Sequence, residues 1–404
     1  MNNTFCILPW VHTAVSTSGL FRPCCNINYI NEEYKPGEKF EGHYIYNEDI
    51  EDVWNSDTYK NFRIKMLRGE KQTACNRCYR EEEAGIKSAR LSSNEQFDMV
   101  EINEDGSCPL DTIRYIDVRL GNRCNVKCRM CNPYASNQWI EDERKTGLRK
   151  TPADELDRLS SMDWFESDTF WNNIFKVIDT CQLIYFSGGE PALFAKQQYK
   201  LFDKCIEMDI AKNIVLRYNT NMTILPPKLI EYFKHFKQAR INCSIDGMDK
   251  VNTYIRYPTE WKSVEKNLKI LTDLRENYNI KLAVHTTVQM YNIFNLVELF
   301  DYLKGYEIFP YLNILHHPIY YTIKTLYKDQ KDVVNKMIRE WYDNNLESLQ
   351  KYDKFGHHVK LMGTLDYMNQ DDWSHQYNDF LSEVYSLDEI RNQRLKDYIP
   401  ELVR

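Results

Sequence analysis

Three cysteines near the middle of the chain have a spacing that suits an iron–sulfur cluster. Cys124, Cys128 and Cys131 form the pattern Cys-x3-Cys-x2-Cys, directly after a strand-like apolar run. Three thiolates can hold three corners of a cubane [4Fe–4S] cluster, because each iron takes one cysteine. The motif contains no fourth cysteine, so the fourth iron would be open to another ligand and could act as a reaction centre. An incomplete zinc site or a set of buried thiols is the alternative.

A glycine-rich turn follows the next predicted strand. It reads Ser187-Gly188-Gly189-Glu190-Pro191. Paired glycines let a ligand approach the backbone closely, and a proline can begin the helix that follows. The same residues also suit an ordinary tight turn between a strand and a helix.

The cysteine motif and the Gly-Gly-Glu-Pro turn, in this order, resemble the signature of radical S-adenosylmethionine (SAM) enzymes. The resemblance implies that SAM chelates the open iron and that its amino group meets the backbone of the turn. One electron from the cluster would then cleave SAM to a 5′-deoxyadenosyl radical. The implied catalytic residues are therefore Cys124, Cys128 and Cys131.

The resemblance also implies further SAM contacts at later strand ends. They are Asn219, Ser244, Asp246 and Arg256, with Met130 beside the adenine, where the family often carries an aromatic residue. Arg256 can form a charge-assisted bond to a carboxylate. Turn and capping chemistry would explain the same polar residues equally well.

A second cysteine set lies in the N-terminal part of the chain. Cys6 is followed by Gly19-x4-Cys24, and then by Cys75-x2-Cys78. This pattern resembles the auxiliary-cluster half-motif of SPASM and twitch proteins, which implies one auxiliary [4Fe–4S] cluster. A four-cysteine zinc site remains the alternative. The Gly-x4-Cys spacing favours Cys24 as the ligand, but Cys25 stays a candidate.

The order of elements predicts an α/β fold. Six strand–helix units in a row favour a partial (βα)6 barrel of the radical SAM type. We expect an auxiliary module at 1–108, the barrel at 109–318 and a mainly helical extension at 319–404. The polar stretch 146–170 is predicted to form a surface insertion. The predicted strands span 113–119, 182–186, 213–218, 240–245, 281–288 and 311–315.

Composition narrows the class of protein. The chain has 404 residues, 12 cysteines and a formal net charge of −7. The negative net charge gives no indication of a positively charged surface that would bind nucleic acid. No apolar run is long enough to span a membrane. Many cysteines without an export signal indicate a reducing compartment. We therefore expect a cytoplasmic, oxygen-sensitive protein.

These features predict a radical SAM enzyme. The expected substrate is a peptide or protein side chain, with a sugar or nucleotide as the alternative, and the expected reductant is a flavodoxin or ferredoxin. A non-catalytic iron–sulfur electron carrier and a zinc-stabilised binding protein are the rivals from other classes. His316 and His317 could bind substrate or move protons, or could simply pack at a strand end.

Overall fold

The computed structural model describes residues 3–27, 42–83 and 87–403. Within these ranges, eight strands form one mostly parallel sheet. The strands are β1 (His12–Val15), β2 (Phe21–Arg22), β3 (Tyr115–Val118), β4 (Leu183–Phe186), β5 (Val215–Thr220), β6 (Gln238–Ser244), β7 (Ile280–Val288) and β8 (Tyr311–Ile314).

Helices follow most of the strands, and the C-terminal part of the chain is almost entirely helical. The α-helices of the described residues are α1 (Leu8–Val11), α2 (Ile50–Trp54), α3 (Asp57–Leu67), α4 (Asn76–Glu83), α5 (Ala89–Gln96), α6 (Trp139–Thr146), α7 (Ala153–Ser160), α8 (Asp168–Lys176), α9 (Ala195–Glu207), α10 (Pro227–Phe233), α11 (Asp249–Ile255), α12 (Trp261–Leu274), α13 (Leu296–Lys304), α14 (Lys328–Tyr352), α15 (Lys360–Gln370), α16 (Tyr377–Arg391) and α17 (Leu395–Tyr398).

The predicted α/β class, with a parallel sheet and a helical C-terminal region, is confirmed. The six predicted strands are β3 to β8. Strands β1 and β2 were not predicted, and they have only four and two residues. Such short strands show too little alternation to be recognised by their periodicity. The predicted boundaries of the three domains stay predictions.

The described chain divides into two compact units. Unit 1 comprises Met1–Asn122, Ser161–Tyr218 and Glu231–Ala239. Its strands follow the order β2-β1-β3-β4-β5. Strand β1 runs parallel to β3, and Ala14 lies opposite Asp117. Asp117 in turn lies opposite Tyr185 on β4, and Tyr185 lies opposite Arg217 on β5. Residues opposite each other in a parallel register share one face of the sheet, so this face carries a polar row.

Part of the predicted surface insertion belongs to the core of unit 1, so that prediction is wrong for its second half. Trp164, Phe165 and Phe170 are 6%, 0% and 0% exposed. The rings of Phe165 and Phe170 both meet the ring of Trp164 edge-on. Three large aromatic side chains bury enough apolar surface to outweigh the charges around them in the sequence.

Unit 2 comprises Arg123–Ser160, Asn219–Ile230 and Arg240–Arg404. A fully buried arginine, Arg129, joins the cysteine-bearing loop to the C-terminal helices. Its guanidinium lies 3.6 Å from the centre of the Tyr254 ring and forms an ion pair with Asp388 on α16. It also donates to the Gln393 side chain at 3.0 Å. A buried charge is tolerated when it is paired and hydrogen-bonded in this way.

We expect Arg129→Met to destabilise the protein by about 3–5 kcal/mol, because it leaves Asp388 buried without its cation. The free energy of unfolding, or the thermal midpoint of the cluster-loaded protein, would measure this. Arg144→Met is the matched control, since the Arg144–Asp157 pair is exposed and should contribute less than about 1 kcal/mol. Equal effects of the two substitutions would contradict the assigned role of Arg129.

Candidate cluster and cofactor sites

The three central cysteines lie together in unit 2, in the loop that follows β3. Cys124 and Cys128 are buried, and Cys131 packs against them together with Val126 and Met130. The Cys131 thiol hydrogen-bonds the Cys128 sulfur, which lowers the pKa of Cys128 and raises that of Cys131. Three soft sulfur donors in one small volume fit an iron–sulfur cluster.

Two nitrogen donors lie beside these sulfurs. Arg256 Nη1 lies 3.8 Å from Cys128 Sγ, and Asn221 Nδ2 lies 3.9 Å from Cys124 Sγ. The Arg256 guanidinium also pairs with the buried Asp246 carboxylate at 2.7 Å. Donors around cluster sulfurs stabilise the thiolates and help to set the reduction potential. Asp246 therefore positions Arg256, and the SAM contacts predicted for both residues stay predictions.

The backbone of the cysteine motif is held at several points within unit 2. Trp139 Nε1 donates to the Cys128 carbonyl at 2.7 Å, and Arg149 Nε donates to the Cys131 carbonyl at 2.9 Å. The Arg129 amide donates to the Ile255 carbonyl at 2.8 Å. Trp139 and Arg149 were not predicted as site residues, because nothing in their spacing distinguishes them from ordinary helix and loop residues.

The other predicted SAM-binding residues of unit 2 lie near strand ends. Asn219 Oδ1 accepts a hydrogen bond from Asn242 Nδ2 at 2.8 Å. Ser244 is half-buried at the last position of β6, and Met130 is half-buried beside the cysteines. Their roles stay predictions.

The glycine-rich turn belongs to unit 1 and joins β4 to a short 3-10 helix at Pro191–Phe194. Gly188 and Gly189 have φ of +75° and +53°. A Cβ atom at Gly188 would lie 2.7 Å from Arg119 Cβ, so only glycine fits there. The Glu190 carboxylate accepts a hydrogen bond from the Ala192 amide at 3.0 Å and so caps the helix. Ser187 is also buried, at 8% exposure.

The four predicted auxiliary ligands line one cavity of unit 1. Cys6, Cys24, Cys75 and Cys78 all border this small space, and Cys25 does not. Burial raises the pKa of the Cys6 thiol and raises the pKa of Cys75 to about 12. A bound metal reverses this effect, because a coordinated thiol loses its proton. The lining therefore fits a four-cysteine metal site.

The two histidines after β8 are exposed. His316 Nδ1 lies 3.1 Å from Tyr367 Oη. No described helix has the length and apolar character that a membrane-spanning segment requires.

Two family models match the chain. The radical SAM superfamily matches residues 118–303, and the SPASM iron–sulfur cluster-binding domain matches residues 6–79. Residues 118–303 therefore form a radical SAM domain, and an SPASM domain precedes it at residues 6–79. The first domain implies a [4Fe–4S] cluster and SAM, and the second implies auxiliary iron–sulfur binding.

Among known proteins, the chain is similar to an uncharacterized protein of Methanocaldococcus jannaschii, with 27% identity over 65% of this chain and 83% of that protein. It is also 28% identical to the GTP 3′,8-cyclase of Clostridium botulinum over 39% of this chain. That alignment spans 44% of the cyclase, less than half of its length.

Two solved structures show a loose resemblance. Streptococcus suis SuiB bound to the precursor peptide SuiA has a TM-score of 0.35 and 15% identity, over 70% of this chain and 63% of that chain. The protein anSMEcpe with bound AdoMet and the Cp18Cys peptide has a TM-score of 0.37 and 17% identity, over 58% and 61%.

We expect Cys24→Ser to remove about four irons per chain from the reconstituted protein, because Cys24 borders the auxiliary cavity. Iron and sulfide analysis would measure the loss. Cys108→Ser is the control, since Cys108 is buried in unit 1 and is not part of that lining. Full iron content in Cys24→Ser would contradict the assignment.

We expect Arg256→Met to make the cluster at Cys124, Cys128 and Cys131 harder to reduce, since the reduced cluster carries more negative charge and would lose a nearby cation. A potentiometric titration followed by EPR would show a more negative potential with unchanged iron content. Lys262→Met, which removes an exposed cation from α12, should leave the potential unchanged.

Proposed function

We propose that this protein reductively cleaves SAM and uses the 5′-deoxyadenosyl radical to take a hydrogen atom from a peptide or protein side chain. The observation that supports this most directly is the grouping of three cysteine side chains, Cys124, Cys128 and Cys131. Arg256 lies beside the Cys128 sulfur. This cluster of cysteines lies within the stretch that the radical SAM family model matches.

The residues of the chain prepare the site in three ways. When bound, the cluster supplies the electron that cleaves SAM. Arg256 and Asn221 direct N–H groups at two of the sulfurs and so stabilise them as thiolates. Trp139 and Arg149 hold the carbonyls of Cys128 and Cys131 and so keep the three sulfurs in place. Burial of Cys124 and Cys128 excludes water from the sulfurs.

The glycine-rich turn would contribute its backbone. The positive φ at Gly188 and Gly189 and the close approach of Arg119 leave no room for a side chain at position 188. We assign the amino group of SAM to the backbone of this turn, as the family resemblance implies. The Glu190 carboxylate would act mainly as a helix cap that holds the turn.

The auxiliary site would accept or relay an electron, or orient the substrate. Four thiols around one cavity leave no cysteine position open on a cubane cluster. A fully coordinated cluster suits electron transfer better than direct chemistry on a substrate. This role would suit an oxidation, a crosslink or an epimerisation of the substrate.

A small molecule is the second candidate substrate. The 28% identity with a GTP 3′,8-cyclase favours a nucleotide, although the alignment spans 44% of that enzyme. The SPASM domain favours a peptide, because members of that group often modify peptides and protein side chains. A flavodoxin or ferredoxin is the proposed reductant.

Anaerobic reconstitution with SAM and a strong reductant should release methionine and 5′-deoxyadenosine. Replacing Cys124, Cys128 and Cys131 by alanine should abolish the release, because the cluster that donates the electron would lose its ligands. Cys243→Ala is the control, since Cys243 is buried in β6 and lies in neither cysteine set.

The alternatives give different results in the same experiment. A loaded cluster without SAM cleavage would indicate an electron carrier. About two zinc ions per chain without iron or sulfide would indicate a zinc-stabilised binding protein.

Substrate class can be tested by hydrogen transfer. A peptide encoded near the gene should lose mass or change structure when co-expressed, and deuterium from that peptide should appear in 5′-deoxyadenosine. Mass spectrometry would detect both. Deuterium transfer from labelled GTP instead would assign the second candidate. The variant in which alanine replaces Cys124, Cys128 and Cys131 serves as the control for each reaction.

A further inference from the structure

Three side chains of different chemistry meet in unit 1, outside the set of cysteines that lines the auxiliary cavity. The ligand atoms of His12, Cys25 and Asp117 all lie within 4.8 Å of one another. They come from β1, from the loop after β2 and from β3. Nitrogen, sulfur and oxygen donors in one place are the ligands that zinc-like metal ions accept.

The His12 ring is held in the orientation that a metal ligand needs. Its Nδ1 lies 3.1 Å from the Tyr115 carbonyl oxygen, which can only accept, so Nδ1 carries the hydrogen and donates it. The Tyr115 ring stacks on the imidazole at 3.9 Å. Metal-binding histidines commonly donate their second nitrogen to a backbone carbonyl, because this fixes the tautomer and the ring.

The other His12 nitrogen has no such partner. Nε2 is buried, and the imidazole interacts with the neighbouring Cys25, which lowers the pKa of that thiol. In the tautomer set by Tyr115, this nitrogen presents a lone pair. The Cys25 thiol can donate to this lone pair, and a bound cation would take both atoms as ligands.

The Asp117 carboxylate lacks hydrogen-bond partners among the described residues. It is 0% exposed, and neither carboxylate oxygen forms a hydrogen bond with a described residue. Arg119 Nη2 lies 3.7 Å from Oδ2, which is close enough for an ion pair but too long for a hydrogen bond. A buried carboxylate is stable only when it is paired and hydrogen-bonded or when it coordinates a metal.

Cys25 completes the set. It follows Cys24 directly, and the two thiols hydrogen-bond each other, yet only Cys24 borders the auxiliary cavity. Arg119 Nη2 donates to the Cys25 carbonyl at 3.4 Å, which anchors the backbone at this residue. Arg119 and the more distant Arg217 both supply positive charge to Asp117, but neither donates a hydrogen bond to its oxygens. A divalent cation between Asp117 and Cys25 would contact both side chains directly.

We propose that His12, Cys25 and Asp117 bind one divalent metal ion of the zinc class, in addition to the iron–sulfur clusters. Ligand atoms around tetrahedral zinc lie roughly 3.3–3.8 Å apart, given bond lengths of about 2.0–2.3 Å. Side chains within 4.8 Å reach this geometry by a small contraction. Three protein ligands leave a fourth position open for water or for a donor atom of a substrate.

The test uses the full chain after anaerobic cluster reconstitution. Zinc is added to the loaded protein, excess zinc is removed, and zinc, iron and sulfide are measured per chain. We expect one zinc per chain, with X-ray absorption showing one sulfur and the remaining ligands nitrogen or oxygen. Cys25→Ser, Asp117→Asn and His12→Gln should each weaken zinc binding roughly 10-fold or more while the iron content stays at the wild-type level.

Two controls distinguish loss of the zinc ligands from a general loss of structure. Cys108→Ser removes another buried thiol of unit 1 and should leave zinc binding unchanged. Asp117→Asn preserves the size of the side chain, so retained iron would show that this variant folds. These readouts do not depend on SAM cleavage, so failure here would leave the proposed reaction standing.

Three outcomes would overturn the proposal. The wild-type protein could take up no zinc once its clusters are loaded. The bound zinc could show four sulfur ligands, which would place it in the cavity of Cys6, Cys24, Cys75 and Cys78. Cys25→Ser could lose about four irons, which would make Cys25 a cluster ligand.

Discussion

A buried thiolate or carboxylate needs positive charge beside it, and this constraint organises the candidate sites. At the central motif, Arg256 lies 3.8 Å from Cys128 Sγ and is itself held by Asp246. At the auxiliary cavity, burial disfavours the thiolate forms until a metal binds. At His12, Cys25 and Asp117, the nearest guanidinium lies 3.7 Å from the Asp117 carboxylate and does not hydrogen-bond it.

The same constraint explains why the cysteine loop of unit 2 is anchored so firmly. Arg129 is fully buried in the loop between Cys128 and Cys131, and it reaches Asp388 on α16. Asp388 also accepts from Tyr254 Oη at 2.8 Å and from the Leu395 amide at 2.7 Å. The C-terminal helices thereby hold the backbone of the motif, which gives this helical region a part in positioning the central cysteines.

The fold was largely predictable because its signals are local. Strands β3 to β8 alternate with helices along the chain, and the parallel α/β class follows from that alternation. Short elements were not predictable, as β1 and β2 show. The segment around Trp164 and Phe165 was misjudged because its charges suggested a surface, whereas its aromatic rings enter the core.

The sequence by itself determined the two cysteine sets and the glycine turn, because ligands that lie close along the chain reveal their chemistry through spacing. Only the tertiary structure brought together residues that are far apart in sequence. Arg256 reaches Cys128 across 128 positions, and Asp117 joins His12 and Cys25 only because β1 pairs with β3. Such contacts depend on how distant segments of the chain pack together, and the spacing of residues along the chain does not reveal them.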